Sequence, residues 1–257
     1  YGVDVAPAGA LTAVVAHCPE LKATLTSFDA TAAQQLPGVR GIVALDSGIA
    51  VVADNFWTAK KAAEQVQLEW EPGPLAELND EIILQEQRKR LASADIDSEH
   101  IEGDVDFSET ASVAEVQAEY SVPYLAHATM EPMNATVHVR ENDCEMWAPT
   151  QAPDMARQTI CGVTGFSREQ VTVHTTYIGG GFGRRVMNDF IVEATIIAKE
   201  FTVPVKLVWT REDDMQHGFY RQQSIHQLRG TLDEAQSIQW WDHRQVAAGT
   251  GDVLTPP

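Results

Sequence analysis

Cysteine is scarce in this chain. Cys18, Cys144 and Cys161 are the only three among 257 residues. Their spacing fits neither a CxxC metal knuckle nor an iron–sulfur ligand run. An odd, widely separated set suggests no disulfide framework, and each thiol is expected as a small buried side chain. Long apolar runs are missing as well. Stretches such as Gly48 to Ala53 and Ile196 to Ala198 fall far below the ~18–20 residues of a membrane-spanning helix. Basic residues are outnumbered, 18 Lys and Arg against 37 Asp and Glu, for a net charge of −19. That balance excludes a nucleic-acid backbone or an anionic membrane surface as the main partner, while a local anion site stays compatible with it. The chain also lacks an initiating Met and a signal peptide. It begins Tyr1-Gly2-Val3-Asp4 and stops at Leu254-Thr255-Pro256-Pro257. Both ends are expected to be cuts from a longer protein, which leaves room for a targeting sequence beyond them.

What is present suits a folded α+β protein with a sizeable core, since 44% of residues are hydrophobic and the length allows one large or two ordinary domains. A first block runs from about Leu11 to Trp70. Leu11–Ala16 reads as a strand, Phe28–Leu36 as a helix stopped by Pro37-Gly38, and Val39–Leu45 with Gly48–Ala53 as two strands. Asp54 or Asn55 is placed to cap a helix from Phe56 to about Gln65, and Val66, Leu68 and Trp70 alternate as in a half-buried strand. An Asp- and Glu-rich stretch follows from Leu75 to Glu109, with a surface helix expected over Ile82–Leu91 and a solvated connector over Ser93–Ser108. The second block starts near Ala111. It holds an alternating strand over Ala114–Tyr120, a hairpin of Ala135–Val139 and Cys144–Trp147, and a helix opening at Pro153. Then come a strand at Val171–Tyr177, a helix over Val186–Phe201, a strand at Val203–Trp209, and a hairpin of Ser224–Leu232 with Ile238–Val246. Strand, glycine loop, helix and strand in that order predict a right-handed βαβ crossover.

The glycine loop is Ile178-Gly179-Gly180-Gly181-Phe182-Gly183-Arg184-Arg185. Glycine permits positive φ and close backbone approach. Amides of such a loop, together with a helix N-terminus behind it, would converge on one spot suited to a phosphate or another oxyanion, and two arginines add formal positive charge. The spacing fits neither GxGxxG, because Arg184 or Val186 stands where the third glycine is needed, nor a P-loop ending in Gly-Lys-Ser/Thr. A tight turn that needs glycine only for its geometry is the plain alternative. Phe182 either anchors the loop in a core or covers a bound planar group.

These residues resemble a known family. Gly179–Gly183 resembles the GGGFG loop of the xanthine dehydrogenase and aldehyde oxidase family, the molybdenum hydroxylases, and Thr150-Gln151 resembles its TQ segment. Pro204-Val205-Lys206 and Thr210-Arg211-Glu212-Asp213-Asp214-Met215 are similar to a further stretch of that family. The Arg184-Arg185 ending, with Asp189-Phe190 and Glu193-Ala194, resembles the branch of isoquinoline 1-oxidoreductase large subunits and related periplasmic aldehyde dehydrogenases. Leu36-Pro37-Gly38-Val39 and Glu69-Trp70-Glu71-Pro72 resemble the family's hammerhead domain.

The resemblance implies a hammerhead-like α+β domain over 1–74, an acidic connector over 75–110, and the N-terminal part of a mixed-sheet α/β molybdopterin-binding domain over 111–257. It implies a molybdenum cofactor of the molybdopterin cytosine dinucleotide type, held by Gln151, Gly180, Gly181, Phe182, Gly183 and Arg184, and expected to be absent from this piece in isolation. The family's catalytic glutamate lies downstream of Pro257, so no acid here is assigned that role, and Glu131 is expected as structural support. His127 and His174 are expected as ordinary satisfied histidines. Val186 and the arginines stand where most members carry Gly-Lys-Glu, which argues against a purine substrate. The implied reaction is oxidative hydroxylation of an aldehyde or N-heteroaromatic carbon with oxygen from water. The electrons would leave through a small iron–sulfur partner subunit, since this chain has no cluster ligands of its own. Periplasmic location is implied for the whole protein, with the cytoplasm as the alternative. The competing reading is a non-catalytic α+β module that binds an anion or a partner subunit, its cofactor site empty.

Overall fold

The computed structural model describes residues 1–20, 22–93, 97–103 and 116–247. In chain order, and leaving aside two strands of two residues each, its strands are β1 Leu11–His17, β2 Thr24–Asp29, β3 Val39–Leu45, β4 Gly48–Ala53, β5 Gln67–Glu71, β6 Val116–Val122, β7 Asn134–Val139, β8 Cys144–Ala148, β9 Val171–Thr175, β10 Val205–Val208, β11 Ser224–Leu232 and β12 Ile238–Ala247. The helices are α1 Thr31–Gln34, α2 Phe56–Ala63, α3 Asp80–Leu91, α4 Pro153–Thr164, α5 Asp189–Ala198 and α6 Arg211–Gln216. The fold is mixed α/β. The end of the predicted connector and the start of the predicted Ala114 strand lie outside the described residues.

Two compact units divide the chain, one from 1–76 with 126–219 and one from 77–125 with 220–257. Strand pairing explains how the first unit is assembled from two stretches of the chain. The first unit is built on a seven-stranded sheet in the order β9-β8-β7-β10-β1-β4-β3. Strand β1 pairs antiparallel with β4 and parallel with β10, placing Leu11 opposite Val205 and Ala13 opposite Leu207. The first block therefore shares a sheet with the second. Its central strands are buried on both faces, as their unbroken apolar runs require. Ala13, Val15, Ala50 and Val52 face a core completed by Phe190, Ile191, Ala194 and Ile197 of α5. Val14, Val51 and Ala53 face Ala59, Ala62 and Ala63 of α2 on the other side.

Strands β2 and β5 form a separate antiparallel ribbon. This corrects the predicted helix from Phe28. Phe28 and Asp29 end β2, and the Asp29 side chain accepts from the Thr31 amide at 2.8 Å, so only one helical turn follows. Strands β9 and β10 do run in the same direction on either side of the glycine loop, but β8 and β7 stand between them in the sheet. In the second unit β6, β11 and β12 form an antiparallel sheet. There the Gln87 amide on α3 donates to the Gln223 carbonyl at 3.0 Å.

Candidate functional site

The glycine loop leaves the end of β9 in the first unit. Gly180 and Gly183 have φ of +97° and +93°, and Phe182 also has positive φ, +52°. A side chain in that region is costly, so Phe182 must be held there by its surroundings. Its ring is 61% exposed. It is no core anchor, and it lies over Gly180, where a Cβ would stand 3.0 Å from its Cε2. The helix does not start directly behind the loop, contrary to expectation. Arg184–Val186 forms a single 3-10 turn, Met187 is extended, and α5 begins only at Asp189. No helix N-terminus therefore stands directly behind the loop.

Gln151 meets the loop from the segment between β8 and α4. Its Oε1 accepts from the Gly183 amide at 3.0 Å, and its own amide donates to the Arg185 carbonyl at 3.1 Å. Because a backbone N–H can only donate, this bond fixes which end of the carboxamide is oxygen. The Nε2 donor is left without a partner among the described residues. Thr150 is buried beside it, donating to the Arg185 carbonyl at 3.3 Å and accepting from the Ala152 amide at 3.0 Å. Gly181 fits under Gln151 so closely that a Cβ would lie 2.6 Å from Gln151 Cδ and Oε1.

The two arginines do not display charge at the surface. Arg184 is 2% exposed, its guanidinium makes a bidentate pair with Asp189 at 2.8 and 2.7 Å, and it lies 5.5 Å from each of the Trp209 and Phe219 rings. Only its backbone serves the loop, through an amide that donates to the Gly181 carbonyl at 2.9 Å. Arg185 is fully buried. Its Nε donates to the Gly180 carbonyl at 2.8 Å and its Nη2 to the Glu131 carbonyl. Burial lowers its pKa, opposed by the carboxylates of Glu131 and Asp214. Glu131 is buried too, as the structural support expected of it. It accepts from the amides of Val3 and Gly179 at 3.0 and 2.9 Å and from Asn134 Nδ2 at 3.0 Å. Sequence reasoning missed the Arg185 contacts, because an arginine after a glycine loop reads as a phosphate ligand.

A second buried polar cluster lies in the same unit, and it too was missed. His17 Nδ1 is 3.0 Å from Asp213 Oδ1 and its Nε2 is 2.9 Å from Glu193 Oε1. Ser47 and Trp209 donate to the same Glu193 at 2.6 and 2.9 Å. Burial pushes the His17 pKa down, but the two carboxylates outweigh it and raise it to about 9. Burial likewise works against the charged Glu193 and Asp213, yet their hydrogen-bonded neighbours keep both carboxyls below the ordinary range. His17, Glu193 and His217 bring ligand-type atoms within 4.8 Å of one another. Both nitrogens of His17 face carboxylates, however, and its ring is stacked on His217 with centroids 4.0 Å apart. This is the environment of an imidazolium that donates twice, not of a metal ligand. His174 pairs with Glu145 at 2.9 Å, and His127 Nδ1 lies 3.2 Å from the Phe219 carbonyl, as ordinary satisfied side chains.

The sequence profile of the family described as "Molybdopterin cofactor-binding domain" matches residues 85–251. The chain belongs to the molybdopterin cofactor-binding domain family. Isoquinoline 1-oxidoreductase subunit beta of Brevundimonas diminuta is 28% identical to it over 86% of this chain and 30% of that protein. Membrane-bound aldehyde dehydrogenase [pyrroloquinoline-quinone] of Gluconacetobacter polyoxogenes is 26% identical over 97% of this chain and 33% of its own length. The crystal structure of quinoline 2-oxidoreductase from Pseudomonas putida 86 superposes with a TM-score of 0.76 at 18% identity, over 95% of this chain and 36% of that one, which is a likeness of fold. The chain spans about a third of the length of the curated relatives it matches. With the loop motif and these matches together, this member of the family is a molybdenum-binding part of the molybdenum hydroxylases. No helix among the described residues is long and apolar enough to cross a membrane.

The residues present fit a molybdopterin-type group. Among the described residues, the amides of Gly180 and Gly181 and the Nε2 of Gln151 find no acceptor within the chain, so three donors are left around a bare glycine surface. Gln151, Gly180, Gly181, Phe182 and Gly183 are brought together, whereas the Arg184 guanidinium is turned inward to Asp189.

Proposed function

We propose that this chain is the cofactor-binding part of an oxidoreductase that hydroxylates an aldehyde or N-heteroaromatic carbon with oxygen derived from water. A molybdenum cofactor, when bound, supplies the two-electron chemistry, and the protein orients it. In this reading Gln151 Nε2 donates to an oxygen of the group. The amides of Gly180 and Gly181 donate to its anionic part, Phe182 shields one side, and Gly183 holds Gln151 in place. Arg184 contributes through its backbone. The cytosine dinucleotide form, a small iron–sulfur partner, a periplasmic location and a hammerhead role for residues 1–74 belong to the same proposal. So does the catalytic acid, which is assigned to no residue of this chain.

The observation that carries this reading is the Gln151–Gly183 bond over Gly181, which leaves one amide donor facing out beside two unpaired backbone amides. The test uses the whole protein made in a host that synthesises the cofactor. Elemental analysis should find molybdenum, acid release should yield cytidine monophosphate, and dye reduction should follow addition of an aldehyde or N-heteroaromatic. Protein free of molybdenum from that host would defeat the proposal. Bound cofactor without turnover of either substrate class would instead favour a non-catalytic binding module.

A further inference from the structure

The buried pair beneath the loop has a geometry that the cofactor-binding reading does not itself require. A trans peptide places its carbonyl and the following N–H on opposite sides, and the chain has no cis peptide bonds. The Glu131 amide donates to the Gly179 carbonyl at 3.0 Å, which holds that carbonyl toward buried Glu131. The N–H of Gly180 in the same peptide unit must then point the other way. Arg185 Nε donates to the Gly180 carbonyl at 2.8 Å, and Arg185 is fully buried. The N–H of Gly181 is turned outward by the same logic. Consecutive amides presented on one side of a turn, with a residue at positive φ among them, form an anion-binding concavity.

Glu131 closes the device from the other side. Its Oε2 accepts from the Gly179 amide at 2.9 Å, so that amide is withdrawn from the ligand side, and Arg185 Nη2 donates to the Glu131 carbonyl. Thr129 Oγ1 donates to that carbonyl as well, at 2.7 Å. Gly179 has no space for a side chain here, since a Cβ would stand 2.5 Å from Glu131 Cβ. The guanidinium is suited to this because its rigid fork reaches the two carbonyls from two separate nitrogens.

We propose that Glu131 and Arg185 are positioning residues: the Glu131 main-chain amide and the Arg185 guanidinium hold the carbonyls of Gly179 and Gly180 inward, the Glu131 carboxylate anchors the Gly179 amide on the same side, and together they aim the amides of Gly180 and Gly181 at an anionic, oxygen-bearing ligand. The inference rests on the cofactor-binding reading for the ligand's identity, but the aiming of the amides stands without it.

The test compares wild-type whole protein with Arg185→Gln, Arg185→Lys, Glu131→Met and a control, Val51→Ala, which opens a cavity in the core on β4. Molybdenum per protein is measured at limiting cofactor supply, and thermal midpoints are measured alongside. Arg185→Gln and Glu131→Met should lose molybdenum by about tenfold or more, the range seen when outer-shell partners of a bound group are removed. Arg185→Lys, which keeps the charge but gathers its donors on a single nitrogen, should recover part of it. Val51→Ala should lose thermal stability while keeping its molybdenum. In cofactor-free protein, amide exchange at Gly179 should quicken about tenfold or more in Glu131→Met, and not in Val51→Ala, because the side-chain acceptor of that amide has been removed. Molybdenum losses in the loop variants no larger than in a control of equal thermal midpoint would overturn the inference, as would unchanged exchange at Gly179. Wild-type protein without molybdenum would count against the functional reading instead, and the exchange measurement would still decide the positioning role.

Discussion

A methyl group at position 181 would have nowhere to go, with Gln151 Cδ 2.6 Å from its ideal place. Gly181→Ala should therefore push Gln151 aside and break the 3.0 Å bond from Gly183. The expected stability loss is modest, roughly 1 kcal/mol for one hydrogen bond, while molybdenum retention in the whole protein should collapse. Equal retention in wild type and variant would show that Gln151 needs no such seat. A finer probe is Gln151→Glu, which keeps an acceptor for the Gly183 amide and replaces the outward donor with an acceptor. Its thermal midpoint should stay within a few degrees of wild type, yet its molybdenum content should fall. A variant that unfolds but retains the metal when folded would contradict that division of labour. At this scale the sequence was informative where chemistry is local. The glycine run and Gln151 could be named from residue type and order alone. The inward turn of the Arg184 guanidinium was not legible, because its partner, Asp189, lies on the far side of a 3-10 turn that the sequence pattern did not separate from the helix.

Among the elements, His17 ties together parts of the first unit that lie far apart in the sequence. It sits at the end of β1 and joins Glu193 of α5 and Asp213 of α6, while Ser47 from the β3–β4 turn joins the same Glu193. Burial and its charged neighbour lower the pKa of stacked His217. With the His17 pKa raised from 6.5 to about 9, folding takes up a proton, and the stabilisation is complete below pH 6.5 and gone above pH 9. Glu193 and Asp213, lowered from 4.5 and 3.8, contribute above those values and lose their contribution as the medium turns acidic. The cluster should thus be firmest between about pH 4.5 and 6.5. Thermal unfolding followed from pH 6.5 to 9 should show a decline equivalent to roughly 3 kcal/mol, and His17→Gln should flatten it. Parallel pH curves for the two proteins would rule the imidazolium out. None of this was legible in the sequence, since the four residues come from four separate segments. The same holds for β2, whose partner β5 lies some forty residues away (Thr24 opposite Glu71). Elements with local signals fared better. Asn55 caps α2 as expected, accepting from the Thr58 amide at 3.0 Å, and Pro153 opens α4.

For the molecule as a whole, the family match begins at residue 85, but the sheet that carries the loop begins at Leu11. A chain cut to residues 77–257 would leave β10 without β1 and bare the apolar faces of Val205 and Leu207. Such a piece should be insoluble or lack a cooperative thermal transition, and co-expression with residues 1–76 should restore one. A soluble, cooperatively melting 77–257 piece would show that the first block is an independent domain after all. The sequence hinted at this dependence only indirectly. Gly48–Ala53 is apolar at almost every position, and all six residues are buried, the pattern of a strand with no wet face. It could not say which distant strand completed the layer, because pairing across such a separation leaves no trace in local periodicity.

The parallel β1–β10 seam also sets a timetable for biosynthesis. Val205 emerges from the ribosome about 190 residues after Leu11, an interval of roughly ten to forty seconds at about 5–20 residues per second. Throughout it, the nascent meander of β1, β4 and β3 carries a naked strand margin able to zip onto a neighbouring polypeptide. The exposed margin is thus a hazard of translation that the finished fold no longer carries.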